Sequence, residues 1–223
     1  MNVSDALESR ISCRQFKPDP IPEDLVRRLL DGASRSPSNG NIQPWHAYAL
    51  TGAPLKALVD DVGERMKDMP RGEGTEFEPY PQPMPPKYKE RAFKCGEDLY
   101  ATIGVARDDK PGRIAQFRRN FRLFDAPVGI FLYVDRCMGV ANWADVGMFA
   151  QSLMLLAREY GLHTCPQCAW AQWHGAVGEH LNPPDELMLY CGIGLGYMDE
   201  DAPINTLRTD REPVDGFAKL VGF

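Results

Sequence analysis

Nine consecutive apolar residues run from Ala126 to Val134. A membrane helix needs about 20, so the run is read as something shorter and buried. Its core, Val128 to Val134, is Val-Gly-Ile-Phe-Leu-Tyr-Val, rich in β-formers, and predicts a buried strand. A buried strand must be covered, and the following segment offers the cover. Trp143 to Tyr160 reads as a helix that is apolar nearly all round, through Val146, Met148, Phe149, Leu153, Met154, Leu155 and Leu156. Such a helix belongs at the centre of a fold or at an interface. Gly161 ends it as a left-handed cap would.

Other elements follow from the same periodicities. Trp45 to Leu50 and Leu187 to Gly196 predict strands, the second running into a glycine turn. Ser4 to Glu8 reads as a short helix start, with Ser4 and Asp5 available to cap it. After Pro22-Glu23-Asp24, the residues Leu25, Val26, Leu29, Leu30 and Ala33 share one helical face. Leu55, Leu58, Val59, Val62 and Met66 mark another amphipathic helix. Helices are also expected over Lys87 to Leu99 and Gln172 to Leu181. Several helices between few strands predict an α+β layer architecture.

At 223 residues, one large domain or two small ones fit, and the chain is able to fold without a disulfide or metal staple. Apolar residues at 43% and charged residues at 25% exclude a disordered or collagen-like chain. A formal net charge of −6 gives no nucleic-acid-binding coat. The first ten residues carry acids and no apolar core, so no signal peptide is expected. Six cysteines without framework spacing read as reduced thiols in a cytoplasmic protein. Six of the seventeen residues from Pro70 to Pro86 are proline, which excludes a regular helix or central strand there. From Arg107 to Arg122 six basic residues stand against two acids. That run is either a solvated helix face or a positive wall near an anionic ligand.

Four segments carry candidate chemistry. In Arg10-Ile11-Ser12-Cys13-Arg14, two guanidinium groups flank a hydroxyl, a set suited to phosphate. Pro37 to Trp45 packs Ser38, Asn39, Asn41 and Gln43 between two prolines, presenting donors suited to the edge of a heterocycle. Cys165-Pro166-Gln167-Cys168, with His163, His174 and His180 nearby, raises zinc or a dithiol centre, but the spacing is wrong for a finger. The third reading of that pair is a tight loop. Gly194-Leu-Gly-Tyr197 lacks the third glycine of a dinucleotide fingerprint. Beyond it, Arg208 and Arg211 offer further phosphate contacts, or are simply surface arginines.

Taken in order, these stretches resemble the nitroreductase family of flavoproteins. The resemblance rests on Arg10-Ile-Ser-Cys-Arg-Gln-Phe, Pro37-Ser-Asn-Gly-Asn-Ile-Gln-Pro-Trp45, the strand beginning Asp125-Ala-Pro-Val, the Gly161-Leu-His-Thr-Cys-Pro166 turn, Gly194-Leu-Gly-Tyr and Arg211-Glu-Pro213. It implies an α+β fold with a central, mostly antiparallel sheet flanked by helices. It also implies an intertwined homodimer with FMN at the interface. Relatives use NADH or NADPH to reduce nitroaromatics by a ping-pong hydride transfer; quinones, free flavin and halogenated aromatics are alternative acceptors on the same fold. A non-catalytic thiol or metal sensor is the alternative from another class.

The resemblance assigns residues as follows. Arg10, Ile11, Ser12 and Arg14 hold FMN, with Arg208 and Arg211 closing on its phosphate. Pro37, Ser38, Asn39, Asn41 and Gln43 reach the flavin from the other subunit, and Asn120 lies over the ring's polar edge. Pro166, Gln167, Cys168 and Ala169 form the loop beneath N5, which the backbone of Cys168 and Ala169 orients. No side-chain catalytic residue and no metal are required, because the cofactor carries the chemistry. The chain is expected to be a single domain, 1–223, with residues from about 67 to 118 as an extended lid, and Tyr88, Phe121 and Phe124 are expected to shape the substrate pocket.

Overall fold

The computed structural model describes residues 1–223. Four strands form one antiparallel sheet: β1 (Trp45–Thr51), β2 (Val128–Asp135), β3 (His163–Gln167) and β4 (Leu187–Gly196), in the order β1-β2-β4-β3. Strand β2 is central. It pairs with β1 from Trp45↔Val134 to Thr51↔Val128, and with β4 from Val128↔Leu195 to Asp135↔Leu187.

Every residue of β2 except Asp135 is buried, because the sheet is covered on both faces. Strand alternation divides its side chains between two cores. Val128, Ile130, Leu132 and Val134 face α2 (Glu23–Ala33), through Val26, Leu29 and Ala33, and α6 (Val140–Glu159), through Val146, Phe149, Leu153 and Ala157. Phe131 and Tyr133 face α3 (Gly52–Asp68), through Leu55, Leu58 and Val62, and α7 (His174–Leu181), through Ala176 and Val177. Trp170 and Trp173 complete this second core. A Cβ at Gly192 would lie 2.6 Å from Trp170 Cδ1, so β4 carries glycine where the indole lies on it.

The α+β expectation and the β1, β2, β4 and α6 segments match the structure. Four details differ. The Cys165–Cys168 pair is not a tight loop, since Cys165 lies within β3, a fourth strand. Pro166 obscures it in the sequence but is tolerated because β3 is an edge strand. The helix expected over Gln172 to Leu181 begins at His174, after a 3-10 turn over Cys168–Trp173. Helix α1 (Val3–Ser9) is capped by Asn2, whose side chain accepts from Asp5 N at 2.9 Å; Asp5 reciprocates and Ser4 does not cap.

The fourth correction concerns Phe121 and Phe124, which are 3% and 2% exposed and belong to the Trp170–Trp173 core. Leu123, Phe124 and Asp125 all take positive φ, 49°, 55° and 65°. This turn directs Phe124 inward, and Asp125 braces it by accepting from Arg119 at 3.1 Å and Arg122 at 2.7 Å. Neither ring is presented to a substrate.

Within 67–118, α4 (Pro86–Thr102) contains no buried residue, and Tyr88 and Phe93 are about half exposed. Helix α5 (Lys110–Arg118) follows, capped by Asp109. Arg113 pairs with Glu97 through both guanidinium nitrogens, at 2.7 and 2.9 Å. With Arg119 and Arg122 held by Asp125, much of the basic run is neutralised on a solvated face. The largest cavity, about 1030 Å³, lies between α3 and this run. Its Arg119, Arg122 and Lys56 are all paired with carboxylates, and none of the expected cofactor residues line it.

Candidate active site

The two ends of the chain meet at strand β3. Ser12 and Thr164 form a parallel bridge, and Cys13 N donates to Thr164 O at 3.0 Å. Asn205, only 3% exposed, ties the knot. Its Oδ1 accepts from Arg14 N at 2.8 Å, and its Nδ2 donates to Gln15 O at 2.9 Å and Asp199 O at 2.8 Å. Sequence reasoning missed Asn205, since a lone asparagine in a polar run carries no periodic signal.

This knot brings Arg10, Ile11, Ser12, Arg14, Arg208 and Arg211 around one cavity of about 520 Å³. Glu8 is the one acid on its wall. The arginines are held by neutral oxygens. Arg14 donates to Ser12 O at 3.2 Å, Arg208 to Asn205 O at 3.0 Å and Arg211 to Thr209 Oγ1 at 2.7 Å. Burial, followed by the nearby charge of Arg211, pushes the Arg10 guanidinium below its ordinary value. The cluster therefore holds positive charge that the protein itself does not neutralise. A phosphate fits such a cradle through charge-assisted hydrogen bonds.

Strand β3 leads away from the cradle. From Thr164 beside Ser12 to Cys168 is four residues, roughly 13 Å of extended chain. At its far end Pro166, Gln167, Cys168, Ala169 and Asn120 line a second cavity of about 460 Å³. Gln167 is 4% exposed. Its Nε2 donates to Asn120 O at 2.7 Å and Asn120 Oδ1 at 3.1 Å, leaving Oε1 without a partner. A buried acceptor without a donor is costly, and it suits a ligand that brings an N–H. A phosphate cradle at one end of β3 and an unmatched acceptor at the other fit an elongated ligand with an anionic end and a polar-edged ring, as FMN has.

The loop Pro37 to Gln43 lies apart from both cavities within the chain. It is locally braced. Ser38 Oγ accepts from Gln43 N at 3.0 Å, Gln43 Nε2 donates to Asn41 O at 3.1 Å, and Asn39 N donates to the buried Asp145 of α6 at 3.2 Å. Asn41 and Gln43 take positive φ, 56° and 51°, so the turn is held in a strained shape. Tyr88 is exposed on α4 and lines neither cavity.

The thiols are poor redox groups. Burial pushes the Cys165 thiol up to about 11 and raises Cys168 also. The thiolate, the reactive form, is thus scarce near neutral pH. The histidines of the sensor reading have other partners: His163 Nδ1 lies 3.0 Å from Arg158, His174 lies 3.8 Å from Glu76 and His180 lies 3.0 Å from Asp61.

His163 gives a test of this positive environment. Burial first, then Arg158 and Arg208, pulls its imidazole down to about 4, against about 6.5 in an unfolded chain. Between those values the unfolded chain binds a proton that the folded chain refuses, so stability falls as pH drops from 6.5 towards 4. Urea unfolding at pH 7 and pH 4.5 should show a loss from this residue on the order of 1–2 kcal/mol after solvent screening. His163→Gln should make the pH dependence shallower. An identical slope in the variant contradicts the assignment.

An antiparallel α+β sheet with an arginine cradle and a backbone loop at opposite ends of one edge strand defines a protein built for a phosphate-bearing cofactor. A family model described as "Nitroreductase family" matches residues 7–197. The chain is 38% identical over 215 residues to the 4-nitrobenzoate reductase of Pseudomonas putida, covering 96% of this chain and 93% of the relative. It is 33% identical to the chloronitrobenzene nitroreductase of Comamonas testosteroni, covering 98% and 96%. Among solved structures, the FMN- and NADPH-dependent nitroreductase NfnB of Sphigopyxis sp. strain HMH superposes with a TM-score of 0.97 at 42% identity, covering 100% of both chains. The FMN-dependent NfnB of Mycobacterium smegmatis in complex with NADPH gives 0.91 at 27% identity, covering 98% and 97%. This chain belongs to the nitroreductase family. No helix in it is long and apolar enough to cross a membrane.

Proposed function

We propose that the protein is an FMN-dependent oxidoreductase that uses NADPH to reduce nitroaromatic compounds by a ping-pong route. The carrying observation is the set of arginines, without carboxylate partners, that both chain ends deliver to one end of β3. Arg10, Ser12, Arg14, Arg208 and Arg211 hold the phosphate end of FMN. Gln167 and Asn120 meet the ring's polar edge, and the backbone of Cys168 and Ala169 orients it. When bound, FMN supplies the hydride-transfer chemistry. The protein binds and orients it and keeps positive charge at its anionic end. No side chain is required to move a proton in hydride uptake, consistent with a site that contains no acid–base dyad.

The working unit is a homodimer. Val140, Phe217, Leu220, Val221 and Phe223 are 91%, 71%, 72%, 84% and 103% exposed in the single chain, a large apolar area for a soluble protein. Pro37, Ser38, Asn39, Asn41 and Gln43 reach the partner's flavin, which accounts for their distance from this chain's own cradle. Residues 67–118 form an extension of the single domain around the site, with Tyr88 and Phe93 of α4 covered in the assembly. NADPH as donor is supported by the two NfnB structures. Six free thiols, three of them exposed, are compatible with the reducing cytoplasm.

The test is spectral and kinetic. Purified protein should take up FMN and turn yellow, and NADPH should bleach it without oxygen. The bleached protein should reoxidise stoichiometrically with a nitroarene, faster than with a quinone or a halophenol. Sedimentation should give twice the chain mass of 25.0 kDa. A protein that binds no FMN overturns the reading.

A further inference from the structure

The cavity beside Cys168 is walled on its far side by the proline-rich segment, through Thr75, Glu78, Tyr80 and Gln82. That segment is pinned to the body of the protein just before it reaches the cavity. Glu73 N donates to Gln172 O at 2.7 Å, and the Glu73 carboxylate accepts from Gly175 N at 2.7 Å and Ala176 N at 3.1 Å. Gly72 (φ 77°) is pressed so closely on Gln172 that a Cβ would meet its carbonyl oxygen at 2.6 Å. Glu76 is neutralised by Arg136 at 2.6 Å. Phe77 stands edge-on to Trp143 at 4.9 Å and stacks on Tyr190 at 6.1 Å.

The chain therefore leaves Phe77 at a fixed place, and the next residue is Glu78. It is the only charged residue of the cavity wall. The rest of the lining is neutral, and no lysine or arginine faces Glu78 across the cavity. The two carboxylates differ in this respect: Glu76 is spent on Arg136, whereas Glu78 is left to act on whatever enters. Glu78 is solvent-exposed on this concave wall and makes no ion pair, and a lone charge on such a wall biases the potential of the space it borders.

We propose that Glu78 screens electron acceptors by charge, so that this site takes uncharged nitroarenes and rejects those bearing a carboxylate. The inference rests on the reading above, in which the flavin ring sits beside Cys168 and Ala169; an acceptor that reaches the ring through this cavity passes Glu78. It also separates this chain's substrates more finely than kinship does, since the relatives described above are named for both an anionic nitrobenzoate and an uncharged chloronitrobenzene.

The test uses the oxidised, FMN-loaded full-length protein and two ligands of nearly equal size, 4-nitrobenzoate and 4-nitrobenzamide. Dissociation constants come from the flavin difference spectrum, and KM and kcat from NADPH-driven turnover. The amide should bind at least about fivefold more tightly at low salt, and the ratio should shrink towards one at about 1 M salt, where exposed charges are screened. The same ratio should appear in KM, with kcat for the two ligands much closer. Glu78→Gln should bring the two constants within about twofold by improving the benzoate and leaving the amide alone, and Glu78→Lys should invert them. Equal binding by the parent protein, or an unchanged ratio in Glu78→Gln, overturns the inference while leaving nitroreductase activity standing. Failure to bind or reduce either ligand overturns the functional reading, and this inference with it.

Discussion

Arg10→Ala is expected to cost FMN affinity while leaving the apoprotein as stable as before, or more so. The two effects have opposite signs for one physical reason. Arg10 is partly buried and faces Arg211, and both conditions disfavour its charge in the folded state. Without a phosphate the folded protein bears that cost, and removing the guanidinium removes it. With a phosphate bound, the same charge makes a charge-assisted contact worth about 1.5–3 kcal/mol, so the dissociation constant should rise roughly ten- to a hundredfold. Fluorescence titration with FMN measures the first effect, and thermal melts of the apoprotein at low and high salt measure the second. The stability gain should fade with salt, because it comes from relieving repulsion between like charges. Arg14→Ala should lose affinity in the same range, since it lines the same cradle. A variant at position 10 that melts early and binds FMN normally would identify Arg10 as a structural residue.

The parts of this arrangement that could be seen in the sequence are those with a local signature. Strand β2 showed itself because Val128 to Val134 is apolar without interruption, and α6 because its apolar residues keep a helical spacing. Strand β3 was hidden because Pro166 breaks the strand pattern and only an edge position makes it acceptable, and edge position is a tertiary fact. Phe121 and Phe124 were misplaced because three successive positive φ angles turn the chain inward, and Leu-Phe-Asp carries none of the glycine that marks such a turn. The cradle arginines could be picked out one segment at a time as phosphate candidates, but only the resemblance grouped them. Arg10 and Arg208 lie at opposite ends of the chain, and nothing in their spacing says that Asn205 joins them. The tether through Glu73 and Phe77 was equally silent, because the proline count excludes a helix without saying where the segment is fastened.

Trp170→Ala should be the most destabilising of the substitutions considered. Trp170 is fully buried, with its ring edge-on to Phe131 at 5.1 Å and to Phe121 at 5.9 Å. Deleting a buried tryptophan leaves a cavity that the sheet cannot close, at a cost of about 3–5 kcal/mol. For a chain of this length each 1 kcal/mol moves the melting temperature by about 2–4 °C, so a fall of roughly 10 °C or more is expected. Trp170→Phe should cost far less than the lost volume implies. The indole Nε1 is buried with no hydrogen-bond partner, and phenylalanine removes that unmatched donor along with the second ring. The site should feel the difference as well. Trp170 follows Ala169 directly, and its ring lies on Gly192 of β4, so it is the weight that holds the Cys168–Ala169 backbone at the cavity floor. In Trp170→Ala, FMN should therefore be released well below the temperature of global unfolding, seen as flavin fluorescence rising before the loss of helical circular dichroism. In Trp170→Phe the two transitions should stay together. If both variants release FMN only on unfolding, the loop is held by the β3 backbone bonds that precede it, and the tryptophan serves stability alone.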